Sequence, residues 1–362
     1  MNVVICWTGL SGYAAACWRA LAARAGVSLN VICFAPDVSG SDAAFKASTV
    51  AGVPCRLLTA AEQYDAGLIE NAVAERRPDV VLLTGWAHPP FRSLVKSKRL
   101  QSSRFVMAMD TPWRGDWRQT VGGPVIRRYM QRMAAIFVAG ERARQYAVQR
   151  GIPYGRVYRG MYAYDETLFN EQAYAERLRG GWPRRFLFMG RYVAVKGIDE
   201  LLAAYAIYKR QHDDPWPLDC CGMGPKQAAI AAAEGVTDLG FIQPEAQPAV
   251  LAQRGVLLMP SRYEPWGVVL AEAMASGMPV IASSACGAAV ELLQSYYNGL
   301  EVPSNDPVQL AGAMSWMHAH HDRLPAMGRH ALNVAPAYSA SVWAERVEAM
   351  CRSLLADTAL VE

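Results

Sequence analysis

Residues 255–283 constrain the fold more than any other stretch of the chain. The apolar run at 255–260 has the length and composition of a buried parallel strand, and residues 268–276 are typical of a helix. A second buried strand starts at Pro279. Two buried strands joined by a helix predict a parallel sheet in an α/β protein, because parallel strands need a long crossover connection.

Two glutamates, Glu264 and Glu272, flank the start of the predicted helix, and Gly267 lies between them. A helix N-terminus presents unpaired N–H groups and a partial positive charge, which suits a phosphate. Gly267 lets a ligand approach the backbone, and a carboxylate inside the helix can accept hydrogen bonds from the hydroxyls of a ribose. The alternative is that both glutamates are solvated residues around a helix cap, and their spacing alone leaves it open.

Residues 260–283 resemble the signature region of the retaining glycosyltransferases of family 4 (glycosyl transferases group 1), which have the GT-B fold. Three further segments carry the resemblance across residues 185–320, in the family's order and spacing. They are Gly190-Arg191 with Lys196-Gly197, similar to the family's G-R-x4-K-G segment; Gly222-Met223-Gly224-Pro225, similar to its G-x-G-P turn; and Glu291 with Asn298-Gly299, similar to its late glutamate and N-G pair.

The length of 362 residues favours two or three domains. In the first half, short apolar runs alternate with helical stretches, which predicts a doubly wound parallel sheet. The resemblance implies a GT-B architecture of two Rossmann-like doubly wound parallel-sheet domains facing a cleft. The predicted domains are an N-terminal acceptor-side domain at 1–165 with a returning C-terminal helix at 340–362, a linker at 166–184, and a nucleotide-sugar-binding domain at 185–339.

The charge is distributed unevenly along the chain. Residues 1–180 carry 23 Lys and Arg against 14 Asp and Glu, a net +9, whereas residues 181–362 carry 13 against 18, a net −5. A basic first half favours an anionic membrane surface or a phosphate-bearing acceptor as a partner. Nucleic acid is not a predicted partner, because aromatic residues are not interleaved with the basic ones in any known module.

Two basic segments of the first half are candidates for these contacts. Residues 92–104 combine Lys and Arg with Leu94, Val95 and Leu100, so the segment either lies on a membrane surface or is an ordinary solvated face. Residues 114–132 add five arginines next to Trp113 and Trp117, and we assign them to acceptor contacts.

The ends of the chain and its apolar runs predict a location. The N-terminal residues lack the basic segment of a signal peptide, and no apolar run is long enough to cross a bilayer. We therefore expect a cytoplasmic protein and leave open a position on the inner face of the cytoplasmic membrane. The eight cysteines lack a repeated C-x2-C spacing, which favours reduced thiols over disulfides or zinc.

Three candidate residues of the first half follow predicted strands, where open α/β sheets bind ligands. Gly12 ends a glycine turn after the first strand, and the full dinucleotide fingerprint is absent. Many family members have a histidine where this chain has Asp110, and we predict Asp110 as a catalytic residue in its place. His88, in a neighbouring loop, would supply an imidazole, or else it is an ordinary loop histidine.

The resemblance assigns the second-half residues to donor chemistry. Arg191 and Lys196 neutralise the departing diphosphate, Glu264 contacts the donor sugar, and Glu272 binds the ribose. The other predicted donor-binding residues are Gly12 in the first half and, in the second half, Gly190, Gly222, Met223, Gly224, Phe241, Ile242, Gly267, Val268 and Val269. The chain has no D-x-D pair, so we predict no metal and no cofactor beyond the nucleotide sugar as co-substrate.

These observations predict a retaining glycosyltransferase that moves a sugar from a UDP- or GDP-sugar to a hydroxyl of a sugar or lipid-linked acceptor. Bacterial cell-surface polysaccharide or lipid-linked glycan synthesis is the expected setting. The departing phosphate would take the acceptor proton, and a covalent intermediate on Glu264 is the less favoured route. The alternatives are a nucleotide-sugar 2-epimerase and a non-catalytic nucleotide-sugar-binding protein.

Overall fold

The computed structural model describes residues 1–36 and 45–359, which form two compact α/β units. The first unit contains Met1–Ala163 and the C-terminal helix from Ala340, and the second contains Tyr164–Ser339.

The first unit is built on a seven-stranded parallel sheet. The strand order is β3-β2-β1-β4-β5-β6-β7, and β1 pairs with both β2 and β4, so the chain winds outward in both directions from the centre of the sheet. The strands are β1 (Asn2–Trp7), β2 (Ser28–Phe34), β3 (Cys55–Leu58), β4 (Val80–Thr84), β5 (Arg104–Met109), β6 (Ala135–Val138) and β7 (Val157–Arg159), and the helices are α1 (Gly12–Ala22), α2 (Ala66–Ala74), α3 (Pro89–Ser93), α4 (Trp117–Met130) and α5 (Glu141–Gln149).

The second unit has a six-stranded parallel sheet in the order β10-β9-β8-β11-β12-β13, which is the Rossmann order. Its strands β11 and β12 are buried along their whole length because helices cover both faces. The helices are α6 (Glu171–Gly180), α7 (Ile198–Gln211), α8 (Gln227–Ala231), α9 (Gln247–Ala252), α10 (Val268–Ala275), α11 (Gly287–Leu292), α12 (Pro307–Ala319) and α13 (Leu324–Val334), and the strands are β8 (Phe186–Met189), β9 (Leu218–Cys221), β10 (Val236–Asp238), β11 (Val256–Met259), β12 (Val280–Ser283) and β13 (Gly299–Val302). The prediction of two doubly wound parallel sheets is confirmed.

The C-terminal helix α14 (Ala340–Ala359) packs on α1 in the first unit. Arg24 Nε lies 2.5 Å from Glu348 Oε2, and Trp343 Nε1 donates a hydrogen bond to the Met161 carbonyl at 2.8 Å. The last residues of the predicted returning helix, 360–362, lie outside the described residues.

The predicted linker at 166–184 is wrong, because helix α6 occupies most of it and packs into the second unit. Arg177 is only 1% exposed, and its guanidinium donates to the carbonyls of Leu251, at 2.9 Å, and Ser276. Burial lowers the pKa of Arg177 to about 10. The glycines and proline that suggested a linker mark only the end of α6 and the turn into β8.

Two further predictions differ from the structure. The sequence predicts a strand over 236–242, but β10 ends at Asp238, whose carboxylate accepts a hydrogen bond from Gly240 N–H at 2.9 Å and turns the chain. In the basic segment at 92–104, Leu94 and Leu100 are buried in the core and Val95 packs against it. The membrane interpretation of that segment is therefore wrong, because its apolar side chains face inward.

Within residues 1–36 and 45–359, none of the helices combines the length and apolarity needed to span a bilayer. All eight cysteines lie among the described residues, and none of them is joined to another in a disulfide there.

Candidate functional site

The loops that follow β8 and β11, the two central strands of the second sheet, lock together. Gly197, at a φ of +75°, packs on the backbone of Pro260, and a Cβ at this position would lie 2.1 Å from the Pro260 carbonyl oxygen. Arg262 N–H donates to the Val195 carbonyl at 2.9 Å. Because β8 and β11 are adjacent where the winding of the sheet reverses, this pair of loops forms the usual ligand-binding edge of such a fold.

An ion pair between Lys196 and Glu264 joins the two loops at their centre. Glu264 is only 8% exposed, and its backbone is fixed by a hydrogen bond from Gly287 N–H at 2.9 Å. The structure thus brings together a cation and a carboxylate that the sequence predicted separately. A buried pair of this kind offers an ammonium to an anion and a carboxylate to hydroxyl groups on the same ligand.

The N-terminus of helix α10 begins immediately after Glu264 and its turn. Gly267, the residue before the helix, has a φ of +102°, and a Cβ there would lie 2.7 Å from Met259 Cε. Gly267 has no side chain to cap the helix, and Val268 and Val269 are only partly buried. The first N–H groups of α10 are therefore suited to an anion.

Glu272 lies in the second turn of α10 and is partly buried. Burial, assisted by the nearby Asp165 carboxylate, raises the pKa of Glu272 to about 8. The carboxyl group therefore holds a proton near neutral pH in the ligand-free protein. A protonated carboxyl both donates and accepts hydrogen bonds, so it can still pair with two ribose hydroxyls.

The raised pKa of Glu272 makes stability depend on pH. The folded state holds the proton up to about pH 8, whereas the unfolded chain releases it near the usual pKa of 4.5. The free energy of unfolding should therefore fall between these values, by at most about 1.4 kcal/mol per pH unit. Urea unfolding of wild type and Glu272→Gln across this window should show a shallower fall for the variant. The matched control is Glu234→Gln, on the surface, and equal slopes in all three proteins would contradict the assignment.

The glycine turn after β9 closes against the loop after β8. Gly222, at a φ of +156°, sits so close that a Cβ would lie 1.9 Å from the Gly190 carbonyl oxygen. Tyr192 N–H donates to the Met223 carbonyl at 2.8 Å, and Gly224 also packs on Tyr192. Gly190, Gly222 and Gly224 thus belong to one interlocked pair of turns.

Arg191 extends from this pair of turns into solvent, and Met223 is 48% exposed beside them. In the part of the chain that the structure describes, Arg191 forms no ion pair. Its guanidinium is therefore available to a diphosphate.

Asp238 accepts hydrogen bonds from side chains beside these turns, and the sequence analysis did not identify it as a site residue. Tyr192 Oη donates to Asp238 Oδ1 at 2.8 Å, and Gln227 Nε2 donates to Oδ2 at 2.9 Å. Burial favours the neutral form, yet these bonds and that from Gly240 N–H hold the pKa of Asp238 below its usual value. Phe241 and Ile242 follow in the loop and are partly buried. The sequence feature that could have identified Asp238 is a single aspartate at the end of a short strand.

The three candidates of the first unit have local roles. Gly12 is the first residue of α1, and Asp110, after β5, accepts a hydrogen bond from Tyr162 Oη at 3.1 Å. His88 is 8% exposed, and its Nδ1 accepts from Phe91 N–H at 3.4 Å at the start of α3. Its ring packs against three aromatic side chains, and burial lowers its pKa. These contacts favour the ordinary histidine that caps a helix over the catalytic alternative.

Residues 173–332 match the family of glycosyl transferases group 1. The matched segment is 160 of the 362 residues of the chain. The match covers the region in which the sequence motifs resemble the family, and it contains Arg191, Lys196, Glu264 and Glu272.

The chain is also similar to several curated proteins. An uncharacterized glycosyltransferase of Methanocaldococcus jannaschii is 30% identical over 135 residues, which cover 35% of this chain and 34% of that protein. A D-inositol 3-phosphate glycosyltransferase of Corynebacterium kroppenstedtii is 31% identical over 42% of this chain and 36% of that protein. An alpha-D-kanosaminyltransferase of Streptomyces kanamyceticus is 27% identical over 52% of each. The matches therefore span about a third to a half of these relatives.

Two solved structures share the fold over nearly the whole chain. HepE of Anabaena, in complex with UDP, has a TM-score of 0.75 at 16% identity and covers 98% of this chain and 100% of its own. Sucrose-phosphate synthase from Thermosynechococcus elongatus has a TM-score of 0.74 at 19% identity and covers 99% of this chain and 100% of its own. The predicted GT-B fold is confirmed.

Proposed function

We propose that the protein is a retaining glycosyltransferase that transfers a sugar from a UDP- or GDP-sugar to an acceptor hydroxyl. The observation that carries the proposal is the Lys196–Glu264 ion pair beside the N-terminus of α10, within a group 1 domain. A cation, a helix N-terminus and a carboxylate on adjoining loops match the diphosphate and the sugar of such a donor.

The donor class has support from a protein of the same fold. HepE of Anabaena has been solved with UDP and with UDP-glucose. The identity to this chain is only 16%, so UDP-sugars are the first donors to test and GDP-sugars the second.

The chemical difficulty is the negative charge that develops on the departing diphosphate. The Lys196 ammonium, the Arg191 guanidinium and the α10 N–H groups offset it, and the interlocked loops fix the backbone that carries these groups before the donor arrives. Preorganised charges of this kind stabilise a transition state without a cost of reorganisation.

Every bond that forms or breaks in the proposed transfer, and the proton that moves, belongs to the donor or the acceptor. The bond between the anomeric carbon and the diphosphate oxygen breaks as the acceptor oxygen attacks from the same side, and the acceptor proton moves to the departing phosphate oxygen. Glu264 accepts hydrogen bonds from the donor sugar, and Glu272 pairs with the ribose hydroxyls. Because Arg191 and Lys196 meet the diphosphate charge and the chain has no D-x-D pair, we propose that transfer requires no metal, so that EDTA leaves the rate unchanged.

The proposed setting is the synthesis of bacterial cell-surface polysaccharide or lipid-linked glycans. The net charge of +9 over residues 1–180 supports an acceptor that carries phosphate.

A thermal-shift panel with UDP, GDP, ADP and their sugars tests donor binding directly. A ligand at a hundred times its Kd stabilises the folded state by about 2.7 kcal/mol, so the nucleotide that the protein binds should raise the Tm more than the others do. Glu272→Ala should lower the affinity roughly tenfold to a hundredfold, because it removes hydrogen bonds to the ribose. The control is Glu234→Ala, whose side chain is 93% exposed. The absence of stabilisation by every nucleotide, or equal affinities for wild type and Glu272→Ala, would reject the site.

A further inference from the structure

Helix α4 in the first unit exposes a line of large apolar side chains. Trp117, Val121 and Val125 are each 70% exposed. They are spaced four residues apart, so they lie on one face of the helix. Single exposed apolar residues are common, but a continuous stripe marks an interaction surface. We call these three residues the α4 stripe.

Beside the α4 stripe, three arginines line an open pocket of about 450 Å³ between α4 and α5. The arginines are Arg127, Arg128 and Arg150, and the remaining lining residues are Thr120, Gly123, Pro124, Gln131 and Gln149. Among the described residues, none of the three arginines forms an ion pair. A pocket with three guanidinium groups and without a paired carboxylate favours an anion.

The structure holds Arg150, one of the residues that line this arginine pocket, in place. Its guanidinium carbon lies 5.0 Å from the ring centre of Trp113 and 5.1 Å from that of Tyr146. Gly123 gives it room, because a Cβ there would lie 2.2 Å from Arg150 Nη1. The buried Nε of Arg150 has no hydrogen-bond partner among the described residues. A guanidinium that is held against two rings and lines the pocket is suited to a phosphate.

The α4 stripe and the arginine pocket adjoin on one helix. Arg128 is three residues after Val125 and therefore shares the face of the stripe, while Arg127 is adjacent in sequence. An apolar face bordered by arginines is the pattern of helices that lie in the interface of an anionic bilayer. A soluble phosphate ester would account for the arginines but not for the exposed tryptophan and valines.

We propose that α4 docks on an anionic phospholipid bilayer, with the α4 stripe entering the headgroup boundary and the arginine pocket holding a lipid phosphate. This contact goes beyond the proposed sugar transfer and does not depend on it. The readout is vesicle binding, so failure of the contact and failure of the transfer reaction are separate results.

Sedimentation of the full chain with vesicles tests the proposal. The protein should bind vesicles that contain phosphatidylglycerol, bind poorly to pure phosphatidylcholine, and be released by salt. Arg127→Gln with Arg128→Gln should lower the partition coefficient about 25-fold, that is about fivefold for each charge lost. Trp117→Ser with Val121→Ser should lower it by about tenfold or more.

Matched controls separate this surface from general charge and general hydrophobicity. Arg76→Gln with Lys98→Gln removes the same charge elsewhere in the first unit, and Leu178→Ser removes an apolar side chain that is 46% exposed in the second unit. Both controls should bind as wild type does, and circular dichroism should show all variants folded. The proposal is overturned if the arginine pair matches its charge control, if the α4 stripe variant binds as wild type does, or if inorganic phosphate alone saturates the arginine pocket while vesicles fail to bind.

Discussion

Lys196→Ala is expected to reduce kcat by about two to three orders of magnitude and to leave KM for the donor within a few-fold of the wild-type value. The physical reason is that the ammonium meets a charge that grows only as the diphosphate departs. Steady-state kinetics with the donor identified by thermal shift would measure both constants. Arg191→Ala should act in the same direction, with a smaller effect if its exposed side chain is more weakly positioned.

Stability must be separated from catalysis in this experiment, because Lys196→Ala leaves the buried Glu264 carboxylate without its cation. The double variant Lys196→Ala with Glu264→Ala removes both charges, so it should recover most of the lost Tm without recovering kcat. Lys209→Ala is the matched control, since Lys209 pairs with the exposed Glu234 away from the site. A wild-type kcat in Lys196→Ala would show that Lys196 does not serve the leaving group.

Gly222→Ala is expected to lower the free energy of unfolding of the second unit by about 3 kcal/mol or more and its Tm by roughly 6 to 12 °C. The added Cβ would lie 1.9 Å from the Gly190 carbonyl oxygen and 2.9 Å from the Tyr192 ring, at a φ that side chains rarely adopt. Because the first of these neighbours is backbone, a rotamer change cannot relieve the clash. Calorimetry would measure the change.

Gly180→Ala is the matched control for this substitution. Gly180 ends helix α6, and a Cβ there would meet nothing within 4 Å, so the change should be under about 1 kcal/mol. Nucleotide binding should fall in Gly222→Ala and stay normal in Gly180→Ala. If both variants unfold at the same temperature, the loop after β8 is not packed against the turn after β9 as described.

The topology and much of the site were predictable because they depend on local pattern. Short apolar runs alternating with helices predict parallel strands, and glycines at fixed distances from strand ends predict tight turns. Arg191, Lys196, Glu264 and Glu272 were selected from the motifs alone, and the structure places them all in the second unit, with Lys196 and Glu264 in direct contact.

Other predictions failed because one local sequence pattern is compatible with two different tertiary structures. The glycines and proline near residue 181 are equally typical of a linker and of a helix end, and only the burial of Arg177 shows which is present. Likewise, apolar residues among lysines and arginines at 92–104 suggested a membrane face, but Leu94 and Leu100 point into the core, and it is helix α4 that exposes its apolar side chains.

The sequence by itself determined the two parallel sheets, the glycine turns and the residue types available to bind a nucleotide sugar, since these follow from spacing along the chain. Only the tertiary structure decided that Lys196 pairs with Glu264, 68 residues away, that Glu272 holds a proton near pH 7, and that three arginines share one pocket. Charge pairing and pKa depend on distances through space and on burial, and neither quantity is contained in local sequence pattern.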